Sequence, residues 1–83
     1  MILSIIIMIM LYNLIAMENF GERLKKLRQE SGLTQKQLAE KINCAHSAIV
    51  YWETNRQEPN ISTLKKLCIY FDVSADYFLG LED

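Results

Sequence analysis

The chain has 83 residues, 51% of them hydrophobic and 23% charged, with a formal net charge of −1. That is room for one small domain, which buries only about 60% of its unfolded surface. The near-neutral total conceals an asymmetry: Glu22 to Lys66 holds nine basic and five acidic residues, a net of +4, whereas Asp72 to the end holds four acidic residues and no basic one. With one histidine, three scattered glycines and no cluster of metal ligands, the chain offers no catalytic constellation, no phosphate-cradling loop and no cofactor site, and is read as a non-enzyme.

The first sixteen residues, MILSIIIMIMLYNLIA, carry no charge, no Gly and no Pro. A membrane anchor needs roughly 20 apolar residues, and sixteen helical residues reach only about 24 Å. Arg23, Lys25, Lys26 and Arg28 follow, which would hold that flank inside. A secretory signal would need a positive start and a small-residue cleavage site, and neither is present. The favoured expectation is a dispensable or spurious extension over residues 1–16 and a domain over 17–83. Met17 opens directly onto ENFGERLKKLRQ, and Ile, Met, Leu, Tyr and Asn are what AT-rich upstream DNA encodes. Against it, a purine-rich ribosome-binding site would encode Gly, Glu, Lys or Arg, none of which occurs in residues 8–16. A membrane segment and an extra packing or dimer contact stay open.

Five helices are expected after Met17. The first spans about Asn19 to Glu30, with Phe20, Leu24 and Leu27 inward and Gly32 beyond its end. Thr34 caps a second helix, Gln35 to Ile42, with Leu38, Ala39 and Ile42 inward. Asn43 tolerates the left-handed turn that follows. The third helix spans about Ala45 to Glu53, burying Ala48, Ile49 and Trp52. Asn55 to Pro59 is a loop. Asn60 caps a fourth helix, about Ile61 to Tyr70, with Ile61, Leu64, Leu67, Cys68 and Phe71 inward. Ser74 caps a fifth, Ala75 to Leu79, which ends at Gly80, and Val73 and Phe78 complete the core. Cys44 in the turn and Cys68 on an apolar face suit free thiols in a reducing cytoplasm.

Thr34 to Glu53 therefore reads as two short helices around a tight turn, the pattern of a DNA-reading helix-turn-helix. The second of these helices would lie in the major groove with its first residues at base edges. That nominates His46 and Ser47, then Val50 and Tyr51 one turn on, as base contacts. Thr34, Lys36, Asn55 and Arg56 are candidates for phosphate contact, which fixes register without reading sequence. Gln35 joins them because it sits in the first turn of its helix.

Three segments, RLKKLRQESGLTQKQLAEKI, IVYWETNRQEP and STLKKLCIYFDVSADYFLG, resemble the phage-repressor and Cro-like helix-turn-helix family, the xenobiotic-response-element class. The resemblance covers about three-quarters of the chain, Phe20 to Leu81. It implies an all-α, compact five-helix, lambda-repressor-like domain that binds double-stranded DNA as a two-fold homodimer and acts mostly as a repressor. It also implies an ion pair between Arg28 and Glu53 and a Gln35 that contacts the DNA backbone and buttresses the reading helix. Asn43 stands where the family usually has Gly, and His46 and Tyr51 stand where short polar residues are commoner, so no relative's operator carries over. Tyr77, Phe78, Leu81 and the acidic tail are candidates for the dimer seam, although Phe78 equally fits the monomer core. The readings from other classes are an antitoxin-like or adaptor module with a protein partner, and a membrane-tethered regulator.

Overall fold

The computed structural model describes residues 2–16 and 19–81. The start of the domain at Met17 falls outside the described residues. Among the described residues six helices follow in order: α1 (Ile2–Ala16), α2 (Phe20–Glu30), α3 (Gln35–Ile42), α4 (His46–Glu53), α5 (Ile61–Phe71) and α6 (Ala75–Phe78). No strand occurs among the described residues.

The ends of these helices follow from their capping chemistry. Side chains of Asn19, Thr34, Asn60 and Ser74 each accept a hydrogen bond from the backbone N–H three residues on, which satisfies a donor that the first helical turn leaves orphaned. Thr34 and Gln37 complete a reciprocal capping box. Asn19 and Ala45 are extended caps outside α2 and α4, one residue later than the sequence suggested. Asp72 takes the left-handed conformation, with φ 53°, and so lets α5 run on to Phe71. Leu79 ends α6 as its C-cap, one residue earlier than expected.

Leu24, Leu38, Ala39, Ile42, Ile49, Trp52, Leu67 and Phe78 form the buried core. The apolar residues of α2, α3 and α4 recur at three-to-four spacing, so each helix turns one stripe inward. Phe20 closes one end against Phe78, with ring centroids 5.1 Å apart, and Leu27, Leu33, Leu64, Cys68, Phe71 and Val73 pack round the margin. Ile61 corrects the sequence reading. It is 85% exposed, because it is the first residue of α5 and its side chain slants back past the helix end, away from the core.

The close approach of α2 to the end of α4 depends on Gly21. A Cβ there would stand 2.8 Å from the Glu53 carbonyl oxygen, and closer still to that of Trp52. The Gly21 N–H donates to Asn55 Oδ1 at 3.1 Å, which knits the start of α2 to the loop after α4.

α1 takes no part in the main helix packing among the described residues. The main packed helix pairs are α2–α4, α3–α4, α2–α6, α3–α5 and α5–α6, and every side chain from Ile2 to Leu11 is exposed. Among the described residues no helix is long and apolar enough to cross a membrane; the fifteen residues of α1 span only about 22 Å.

Two outcomes are expected. Gly21→Ala lowers stability, because a clash with backbone costs about 1–3 kcal/mol and alanine's helix propensity returns only about 1 kcal/mol. A melting curve that moves upward would contradict this. A chain beginning at Met17 melts within about 2 °C of the full chain, since the described side chains of α1, Ile2 to Leu11, are all exposed; calorimetry of the two makes the comparison.

Candidate nucleic-acid interface

The α3–turn–α4 unit is set by three local features. The Thr34 box fixes where α3 begins. Asn43 then adopts φ 57° and ψ 56°, a conformation that asparagine reaches more easily than most residues. The Cys44 N–H donates back to the Ala39 carbonyl at 2.9 Å, reversing the chain within a few residues. Ala39, 3% exposed, is small enough for α4 to cross close by.

Burial of Ile49 and Trp52 orients α4. Its other face carries His46, Ser47 and Tyr51, all exposed, with Val50 half-buried beside them. Ala45 supplies no side-chain cap, so α4 lacks the side-chain hydrogen bond that caps α2, α3, α5 and α6. Its first N–H groups therefore point out of the helix end without a side-chain acceptor, in a position suited to an anionic or base-edge acceptor.

The far end of α4 is locked. Arg28 Nε and Nη2 donate to the two carboxylate oxygens of Glu53 at 2.6 and 2.9 Å, and Nη1 donates to the Leu33 carbonyl at 2.8 Å. The two side chains are 10% and 2% exposed. The hydrogen bond to Glu53 raises the Arg28 pKa above its ordinary value, against the opposing effect of desolvation. Gln35 Nε2 donates to Glu53 Oε1 at 3.2 Å, so the start of α3 hangs on the same carboxylate. No buried side-chain polar atom among the described residues lacks a partner.

This lock joins the start of α3 to the end of α4, the two segments that carry the backbone-contact candidates. Thr34 and Lys36 flank Gln35, Asn55 and Arg56 follow Glu53 in sequence, and all four are exposed. His46 and Ser47 lie at the other end of α4, about 10 Å away along its axis. The Thr34 hydroxyl oxygen is committed to the cap, which leaves its O–H free to donate. Asn55, at φ 59°, uses Oδ1 on Gly21. Sequence reasoning missed this clamp. Its signal was the pair of Gly21 and a polar residue following Glu53, which only the helix crossing makes meaningful. Thr54 was also passed over; its hydroxyl donates to the Val50 carbonyl at 2.8 Å and finishes α4.

Cys44 and Cys68 are free and half-buried. Burial pushes both thiols above their usual range, and the charge of Lys66 partly opposes this at Cys44. Among the described residues no group of three or more His, Cys, Asp or Glu is placed to hold a metal ion. Phe78 is fully buried and Arg23 stacks over Tyr77, 4.9 Å from its centroid. Of the seam candidates, Phe78 thus belongs to the monomer core, while Leu81 is 73% exposed.

A family model described as helix-turn-helix matches residues 24–78. The chain belongs to the helix-turn-helix family. It is 40% identical over 65 residues to the HTH-type transcriptional regulator ImmR of Bacillus subtilis, covering 78% of this chain and 51% of that protein. It is 44% identical over 64 residues to the uncharacterized HTH-type transcriptional regulator YobD of the same organism, covering 77% and 57%. To the immunity repressor protein of Bacillus phage phi105 it is 37% identical over 62 residues, covering 75% and 43%. The chain spans about half the length of these relatives.

The lock is the feature most sensitive to substitution. Glu53→Ala leaves a buried guanidinium without its anion and costs about 3–5 kcal/mol, a large share of a small domain's stability. Urea or thermal unfolding measures this, and an unchanged midpoint would show that the pair does not hold the fold.

Proposed function

We propose that the chain is a sequence-specific double-stranded DNA-binding protein, a transcriptional regulator that represses by occupying promoter DNA. The observation that carries this reading is the outer face of α4. A helix held at one end by a buried ion pair presents His46, Ser47 and Tyr51 to solvent with Val50 half-buried beside them, and its N-terminus has no side-chain cap. In the major groove, His46 donates to purine N7 or guanine O6, Ser47 donates or accepts, Val50 packs on a thymine methyl and Tyr51 reaches a base or a phosphate. Thr34, Gln35, Lys36, Asn55 and Arg56 line the phosphate path at the other end of the unit. The net positive charge of Glu22 to Lys66 supplies the electrostatic footprint.

The relatives' names support regulation and, for the phage protein, repression. One relative is named a transcriptional activator, BcrR of Enterococcus faecalis, so the sign of regulation follows from where the operator lies and not from the fold. A homodimer reading half-sites about one helical turn apart completes the proposal. The work is placed in the cytoplasm.

The test is a titration against DNA from upstream of the chain's own gene, with scrambled DNA as control, at two salt concentrations. Binding should be saturable, should favour the native DNA and should fall steeply with salt as counterions are released. His46→Ala should cost about 1–3 kcal/mol on the preferred site and little on scrambled DNA. Lys36→Ala and Arg56→Ala should weaken both DNAs alike and flatten the salt slope. Salt-independent binding to a protein and none to DNA would replace this reading with the antitoxin-like or adaptor alternative.

A further inference from the structure

A shallow groove of about 380 Å³ lies between the C-terminal ends of α3 and α5, lined by Lys41, Ile42, Asn43, Lys66, Ile69 and Tyr70. The core does not account for it. α5 sends Leu67 inward with Cys68 and Phe71 at the margin, yet it also presents Ile69, 71% exposed, and Tyr70, 40% exposed, on another face. Two large apolar side chains side by side on an eleven-residue helix form a patch that water solvates poorly. Lys41 and Lys66 flank it, and neither forms an ion pair among the described residues.

The opposite pattern stands at the other end of the chain. Leu79 is 58% exposed and Leu81 is 73% exposed, and Glu82 and Asp83 follow them in sequence. Two uncovered apolar side chains with two acids complement two uncovered apolar side chains with two lysines.

We propose that this groove receives the segment Leu79–Asp83 of a second copy of the chain. Leu79 and Leu81 cover Ile69 and Tyr70, and the carboxylates of Glu82 and Asp83 meet Lys41 and Lys66 at the rim. Each copy carries both halves, so a reciprocal exchange across a two-fold axis closes the pair, whereas a one-way contact would propagate. The assignment rests on the dimer reading above and does not depend on DNA.

The experiment is sedimentation of the full chain without DNA, for wild type, for a groove variant (Lys41→Glu with Lys66→Glu), for a tail variant (Glu82→Lys with Asp83→Lys) and for an equimolar mixture of the two variants. α1 is identical in all of them, so association through its apolar surface would not respond to the charges. Wild type should associate, each variant alone should associate about tenfold more weakly, and the mixture should regain the wild-type strength. Circular dichroism confirms that the variants fold. A monomeric wild type would overturn the dimer reading and this assignment together. Variants that associate like wild type, or a mixture that regains nothing, would overturn the assignment alone. Loss of DNA binding by the groove variant with unchanged sedimentation would place the two lysines on phosphate and overturn it as well.

Discussion

The Glu53 carboxylate is the point on which the architecture turns. It ends α4, accepts two hydrogen bonds from Arg28 on α2 and one from Gln35 on α3, and so ties three helices through two oxygen atoms. A buried ion pair is not by itself a source of net stability, because desolvating both charges offsets much of their attraction. Its value is directional. Apolar residues of similar volume would pack α2 against α4 over a range of rotations, whereas a two-pronged guanidinium–carboxylate contact admits few. The proposed reading of base edges by the outer side chains of α4 would need its rotation and height fixed, and the pair constrains both at the Glu53 end.

Gly21 and Asn55 extend the same constraint to the backbone. The carbonyls of Trp52 and Glu53 approach α2 so closely that only a hydrogen fits between, and the Asn55 side chain uses the N–H of that glycine. The loop bearing Arg56 is therefore anchored to α2 as well as to α4. Rigid placement of the loop would serve the proposed phosphate contact, where register is set by a few donors at fixed spacing.

Much of this was legible in the chain. Caps announced themselves because Thr34, Asn60 and Ser74 are residue types whose side chains compete for backbone N–H groups. The core of α2, α3 and α4 followed from three-to-four spacing, and the turn followed from Asn43. What stayed hidden depends on where helices cross. Nothing in the run ENFGERL distinguishes a glycine that merely sits in a helix from one pressed against another backbone. Periodicity placed Ile61 inward because it extends the stripe of Leu64 and Leu67, but a stripe has no cover beyond the end of its partner helix. Arg28 and Glu53 were paired through family resemblance; their charges alone, far apart in sequence, would have passed for solvated surface.

α1 poses a separate physical question. Ser4 and Asn13 apart, its sequence is apolar all round, so no rotation of the helix offers water a continuous polar face. It is also too short to cross a bilayer. Beyond α1, Phe20 closes the core against Phe78, and the buried side-chain polar groups are satisfied within the described residues. The part of α1 whose side chains are described exerts its influence through what it exposes. Ten consecutive exposed residues from Ile2 to Leu11, rich in isoleucine, put this chain's solubility at greater risk than its fold.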